Sequence, residues 1–85
     1  MITPSQCRAA RALLDWSQQQ LADAAKVGNA TIRNFEGGNP SQPRRATLEM
    51  LRIALEAAGV QFIPENGGGA GVRMRQRQPS DHSEV

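Results

Sequence analysis

Cysteine occurs once in this 85-residue chain, as Cys7 among Arg8, Ala9 and Ala10. An internal disulfide framework is therefore excluded, a zinc site at Cys7 lacks companion ligands, and a reducing cytoplasm is the expected setting. Histidine also occurs once, as His82, in a polar C-terminal stretch where it is expected to be solvated rather than a ligand or general base. No apolar run reaches the roughly 18 residues of a membrane-spanning helix, and the opening Met1-Ile2-Thr3-Pro4 carries neither a basic run nor an apolar segment. The glycines Gly67-Gly68-Gly69 open onto a strand pattern, so a phosphate loop between strand and helix is missing. These absences argue against an enzyme, a cofactor, a metal centre and a membrane partner. A chain this short is expected to form one domain with a modest core, so function is sought on a surface rather than in a cleft.

What the chain does contain is local punctuation. Thr3-Pro4-Ser5-Gln6 is a complete helix start, with Thr3 as cap, Pro4 in the first turn and Gln6 reaching back to the cap amide. The helix that follows runs to about Leu14, with Cys7, Ala10, Leu13 and Leu14 on its apolar side and Arg8 and Arg11 flanking it. The same device recurs at Ser17 with Gln20, and Trp16 and Leu21 can pack across that entrance as a staple, which makes Trp16 structural rather than a stacking platform.

From Ser17 to Phe35 two short helical patterns are joined by a tight turn, the pattern of a helix-turn-helix. Leu21, Ala22 and Ala25 share one stripe of the first, and Ile32 and Phe35 share one stripe of the second. The opposite side of the second carries Ala30, Arg33 and Asn34, a small, a cationic and an amide side chain of the kinds that meet thymine methyls, guanine edges and adenine edges in a major groove. The formal net charge is only +2, but all but one of the ten cations are arginine, and Arg44 with Arg45 and Arg73 with Arg75 are concentrated.

Two glycines and two prolines between Glu36 and Pro43 end that helix in an irregular connection. A further amphipathic helix begins near Arg45, with Leu48, Leu51, Leu55 and Ala58 as its stripe, Met50, Ile53 and Ala54 widening it, and Gly59 at its close. That face is broader than one small core requires and leaves room for another element or another subunit. From Val60 the period becomes alternating. Val60 and Phe62, then Val72 and Met74, share one side, with Arg73 and Arg75 on the other, as in a β-hairpin over 60–75; a frayed tail is the alternative. The hairpin is expected to pack those four side chains on the helix that precedes it. One domain over 1–75 and a disordered tail over 76–85 follow from this reading.

Across residues 7–58 the chain resembles the DNA-binding domain of the phage-repressor and Cro-like helix-turn-helix family. The resemblance rests on Gln18 and Leu21-Ala22, Ala30-Thr31-Ile32, Phe35-Glu36, the Gly37-to-Pro43 turn and the helix from Arg45 to Ala58. The segment from Val60 to Arg73 is similar to a tail found on some small bacterial regulators of this type. The fold so implied is mainly α: a four-helix repressor-like domain followed by a C-terminal β-hairpin. The resemblance implies Asn29, Ala30, Arg33 and Asn34 as base readers, Gln18 as a phosphate ligand, and Arg11 with Glu36 as a pair tying the first helix to the end of the third. A phosphate role for Gln18 also suits an amide beside the free N–H groups of a helix N-terminus. Arg44 and Arg45 are expected to grip phosphates.

The chain departs from that family at the turn, with Lys26 where glycine is usual and Gly28 where a capping serine or threonine is usual. Either Lys26 takes the left-handed conformation at a cost on the order of 1–2 kcal/mol, or the third helix starts later with Asn29 as its cap. The function expected is a sequence-specific double-stranded-DNA-binding transcriptional regulator, a repressor or autoregulator acting as a homodimer and inserting residues 29–36 into the major groove. The alternative is a protein-interaction module, antitoxin-like or anti-activator, on the same scaffold.

Overall fold

The computed structural model describes residues 1–39 and 43–76. His82 and the tail from residue 77 onward lie outside the described residues, as do residues 40–42 of the irregular connection. The element order is α1 (Pro4–Leu14), α2 (Gln18–Ala25), α3 (Asn29–Glu36), α4 (Arg45–Ala57), β1 (Val60–Ile63) and β2 (Gly71–Met74). Among the described residues no helix is long and apolar enough to cross a membrane.

Both capping boxes form. The Gln6 N–H donates to Thr3 Oγ1 at 3.1 Å while the Thr3 N–H donates to Gln6 Oε1 at 2.9 Å. At α2 the corresponding Gln20-to-Ser17 and Ser17-to-Gln20 bonds are 3.0 and 2.7 Å. Orphan amides at both helix starts are thereby satisfied by side chains three residues apart. The turn between α2 and α3 resolves the register: Lys26 is left-handed at φ 61° and ψ 41°, and Gly28, extended at φ −72°, is the residue preceding Asn29 in α3. Asn29 is therefore the first helical residue and not the cap. Because a Cβ is strained in that conformation, Lys26→Gly is expected to raise stability by about 1 kcal/mol. Thermal denaturation should register this as a melting temperature several degrees higher; a lower one contradicts the strain.

Leu21, Ile32, Leu51, Leu55, Val60 and Cys7 are the largest fully buried side chains, so every helix and the first strand contribute to one core. Ile2 is also buried, ahead of the first helix and outside any periodic pattern. α2 packs on α3 and α4, and α1 packs on α3. Trp16 is half-buried against this core, as a staple residue would be.

The hairpin forms with Val60 opposite Met74, Gln61 opposite Arg73, Phe62 opposite Val72 and Ile63 opposite Gly71. Gly59 at φ 111° turns the chain out of α4, and its carbonyl accepts from the Arg75 N–H at 2.7 Å. β1 rests on α4, and the hairpin has a second support that the sequence reading did not include: both strands also rest on α1. The reason is Gln6, which is buried and whose Nε2 donates to the carbonyls of Gly71 at 3.0 Å and Ile63 at 3.5 Å, closing the loop end of the ribbon onto α1. A lone two-stranded ribbon is marginal, and this attachment supplies the support it needs. Gln6→Ala removes one capping partner and both bonds from the helix to the hairpin carbonyls, so a loss of about 1–3 kcal/mol is expected in urea denaturation. Gln20→Ala, at an exposed box, should lose about 1 kcal/mol or less. Equal losses would mean that the Gln6–hairpin bonds carry no stability.

Candidate nucleic-acid interface

α3 is eight residues long and divides cleanly by side. Ile32 and Phe35 are buried in the core, while Ala30, Arg33 and Asn34 are exposed and Asn29 is half-buried. The side chains of Arg33 and Asn34 make no hydrogen bond to any described residue, so their donors are free for a ligand. A fork of guanidinium donors beside an amide, on a helix whose other side is fixed by the core, can address the edges of stacked bases.

Glu36, the last residue of α3, is the point at which this helix is fastened. Its carboxylate is buried, with Oε1 accepting from Arg11 Nη2 at 2.6 Å and from Gln18 Nε2 at 3.1 Å. The other oxygen, Oε2, accepts from Arg11 Nε at 2.8 Å and from the Cys7 Sγ–H at 3.1 Å. Arg11 thus binds Glu36 in a two-pronged fork, and its remaining Nη1 donates to the Trp16 carbonyl at 3.0 Å. Arg8 donates to the Glu36 carbonyl, placing a cation at the negative end of α3. One carboxylate therefore joins α1, the start of α2 and the end of α3. Among the described residues no buried side-chain nitrogen or oxygen lacks a partner.

The electrostatics follow from this packing. Burial pushes the Glu36 carboxyl upward, but the hydrogen bonds from Arg11, Cys7 and Gln18 outweigh it and hold the group below the usual carboxylate range. The hydrogen bond to Glu36 raises the Arg11 guanidinium further, against the smaller effect of its burial. Burial first, and then the bond to Glu36, push the Cys7 thiol far above its ordinary range, so it acts as a neutral hydrogen-bond donor and not as a nucleophile.

Gln18 stands at the first position of α2, half-buried. One N–H of its amide nitrogen is engaged by Glu36, which orients the group and leaves the second N–H without a partner among the described residues. Arg44 and Arg45 are exposed where α4 begins, and neither is paired with a described residue. Arg73 and Arg75 are engaged by the hairpin and its neighbour: Arg73 Nε donates to Gln61 Oε1 at 3.0 Å, and Arg75 Nη2 to the Glu56 carbonyl at 2.9 Å.

Sequence reasoning did not find the contacts of Cys7, Arg8 and Gln18 with Glu36. The i, i+4 spacing of Cys7 and Arg11 places both on one side of α1 and was a usable signal. No such signal exists for Gln18, whose partner lies 18 residues away. Among the described residues no three His, Cys, Asp or Glu side chains gather in a metal-holding group. A family model described as helix-turn-helix matches residues 8–62, which takes in most of α1, all of α2 to α4 and the start of the hairpin. Comparison with curated proteins gave no match.

Proposed function

The chain belongs to the helix-turn-helix family, and from that premise we propose that it is a sequence-specific double-stranded-DNA-binding transcriptional regulator, a repressor or autoregulator that acts as a cytoplasmic homodimer. The observation that carries the reading is α3: its exposed side offers Ala30, Arg33 and Asn34 with no side-chain partner among the described residues, on a helix anchored by Glu36. In this reading α3 enters the major groove, Arg33 addresses guanine and Asn34 adenine, and Ala30 permits close approach. Asn29, half-buried at the helix start, reaches a base edge from the rim of the contact. Gln18, with its free N–H, and Arg44 and Arg45 take phosphate oxygens and set the register of the helix on the duplex. One copy presents one recognition helix, so a dimer reading two half-sites about one helical turn apart is the form expected to act on an operator.

Selection of binding sites from random duplex DNA, followed by a salt titration on the selected site, tests the proposal. The expected result is a two-fold symmetric consensus whose affinity falls steeply as salt rises. Enrichment of no sequence, or an affinity indifferent to salt, overturns it. Tight salt-insensitive binding to a protein would instead point to the interaction-module alternative, in which apolar contact replaces phosphate neutralisation.

A further inference from the structure

The outer face of α4 is left uncovered by the other described residues. Leu48, Leu51 and Leu55 turn into the core, whereas Met50 and Ile53 are 40% and 55% exposed on the opposite side. Exposed Ala46 and Ala57 continue the same stripe, so small, large, large and small apolar residues follow one another at the helical spacing. Along one flank of that stripe run Arg45, Glu49, Arg52 and Glu56 at the same spacing, with signs that alternate plus, minus, plus, minus.

This charge order is complementary to itself when reversed. A two-fold axis perpendicular to a helix sets each flank beside the same flank of the second copy, read backwards. Arg45 then lies beside Glu56 of the partner subunit, a pairing that in the dimer replaces the phosphate role given to Arg45 above and leaves that role to Gln18 and Arg44. Glu49 lies beside Arg52 of the partner subunit. A parallel pair would instead set this flank beside the neutral Thr47, Ala54 and Ala58. Within one copy Arg52 is already shared, donating to Glu49 and, at 2.6 Å, to Glu56. Arg52 is the one described residue in ion-pair contact with either carboxylate; the amino terminus and Arg45 act on Glu49 only through space, so Arg45 has no ion-pair contact with a described residue and is the cation that a second copy can supply to Glu56. Arg75 does not fill that role, because it donates to the Glu56 carbonyl at the helix end.

We propose that the outer face of α4 is the homodimer interface, packing against α4 of a second copy in an antiparallel, two-fold arrangement. Met50 and Ile53 of both copies form its centre, and the alanines at either end let the helices approach closely. The proposal deepens the homodimer of the preceding reading and rests on it. α3 packs on α1 and α2, not on this face, so its exposed side stays uncovered in the pair.

Sedimentation equilibrium of the full chain without DNA tests the arrangement, with circular dichroism confirming that each variant is folded. Ile53→Glu, at an exposed position, is expected to weaken association at least about tenfold. Arg45→Glu and Glu56→Arg should each weaken it roughly three- to tenfold by creating two like-charge pairs. An equimolar mixture of those two variants should associate as tightly as the unmodified chain, because each then meets its opposite at both ends of the helix. A dimer that ignores Ile53→Glu, or a mixture that stays as weak as its components, overturns the α4 interface while leaving the homodimer standing. An unmodified chain that is monomeric both alone and on a two-half-site duplex overturns the homodimer itself.

Discussion

Replacing Glu36 with alanine is expected to lower the unfolding free energy by about 3–5 kcal/mol, the range for removing one partner of a buried ion pair. The carboxylate is 3% exposed and accepts from Arg11 twice, from Gln18 and from Cys7, so its loss strands a guanidinium in a site built around a negative charge. A domain of this size holds only about 5–15 kcal/mol in total, so the variant should be close to unfolding at room temperature. Urea denaturation reads the loss directly. Arg11→Ala should cost a comparable amount, and the double variant much less than the sum, because both singles leave the same pair half-made. A Glu36→Ala cost under about 1 kcal/mol would mean that the carboxylate is effectively solvated.

The same group sets an acid limit on the fold. A carboxyl held below its unfolded value of about 4.3 stabilises the folded state fully above that pH. The contribution is lost as the pH falls through the lower folded value. Glu36→Gln keeps the shape and cannot ionise, so its stability should be lower at neutral pH and flatter across the acid range. Gln18 is oriented by the same carboxylate, so the acid limit and the placement of a proposed phosphate ligand are linked.

Local chemistry made much of this architecture legible. Thr3 with Gln6 and Ser17 with Gln20 announce helix starts because a capping box closes within four residues. The change of period at Val60 announces the hairpin for a similar reason: alternation is a property of the strand itself. Both the side of α3 that is buried and the side that is exposed follow from the spacing of Ile32 and Phe35.

Contacts that depend on where distant elements meet were not legible. Gln6 looks complete as a capping residue, yet its nitrogen holds carbonyls 57 and 65 residues away, and this draws the hairpin onto α1. Lys26 reads as a misfit in isolation; it is accommodated because the core contacts of α2 and α3 outweigh a strain on the order of 1–2 kcal/mol. Gln18 resembles a surface amide until the end of α3 is brought beside it by Arg11 and Glu36.

Arg33→Ala is expected to weaken binding to the selected operator by about 1–3 kcal/mol and to relax the preference at a single base position. The guanidinium is exposed, unpaired with any described residue, and lies one helical turn from the start of α3 on the side away from Ile32 and Phe35. A fork in that position matches guanine O6 and N7, and alanine leaves those acceptors without donors. Arg44→Ala is a contrasting variant, since Arg44 precedes α4 and lies off the recognition helix. Its loss should weaken all sequences alike and reduce the slope of log affinity against log salt by about one unit. Fluorescence anisotropy on the operator, a single-base variant of it and an unrelated duplex, each over a salt series, separates the two effects. If Arg33→Ala lowers specific and non-specific binding equally and also flattens the salt slope, its partner is a phosphate. In that case α3 lies along the backbone, and the base-reading surface has to be sought elsewhere on the domain.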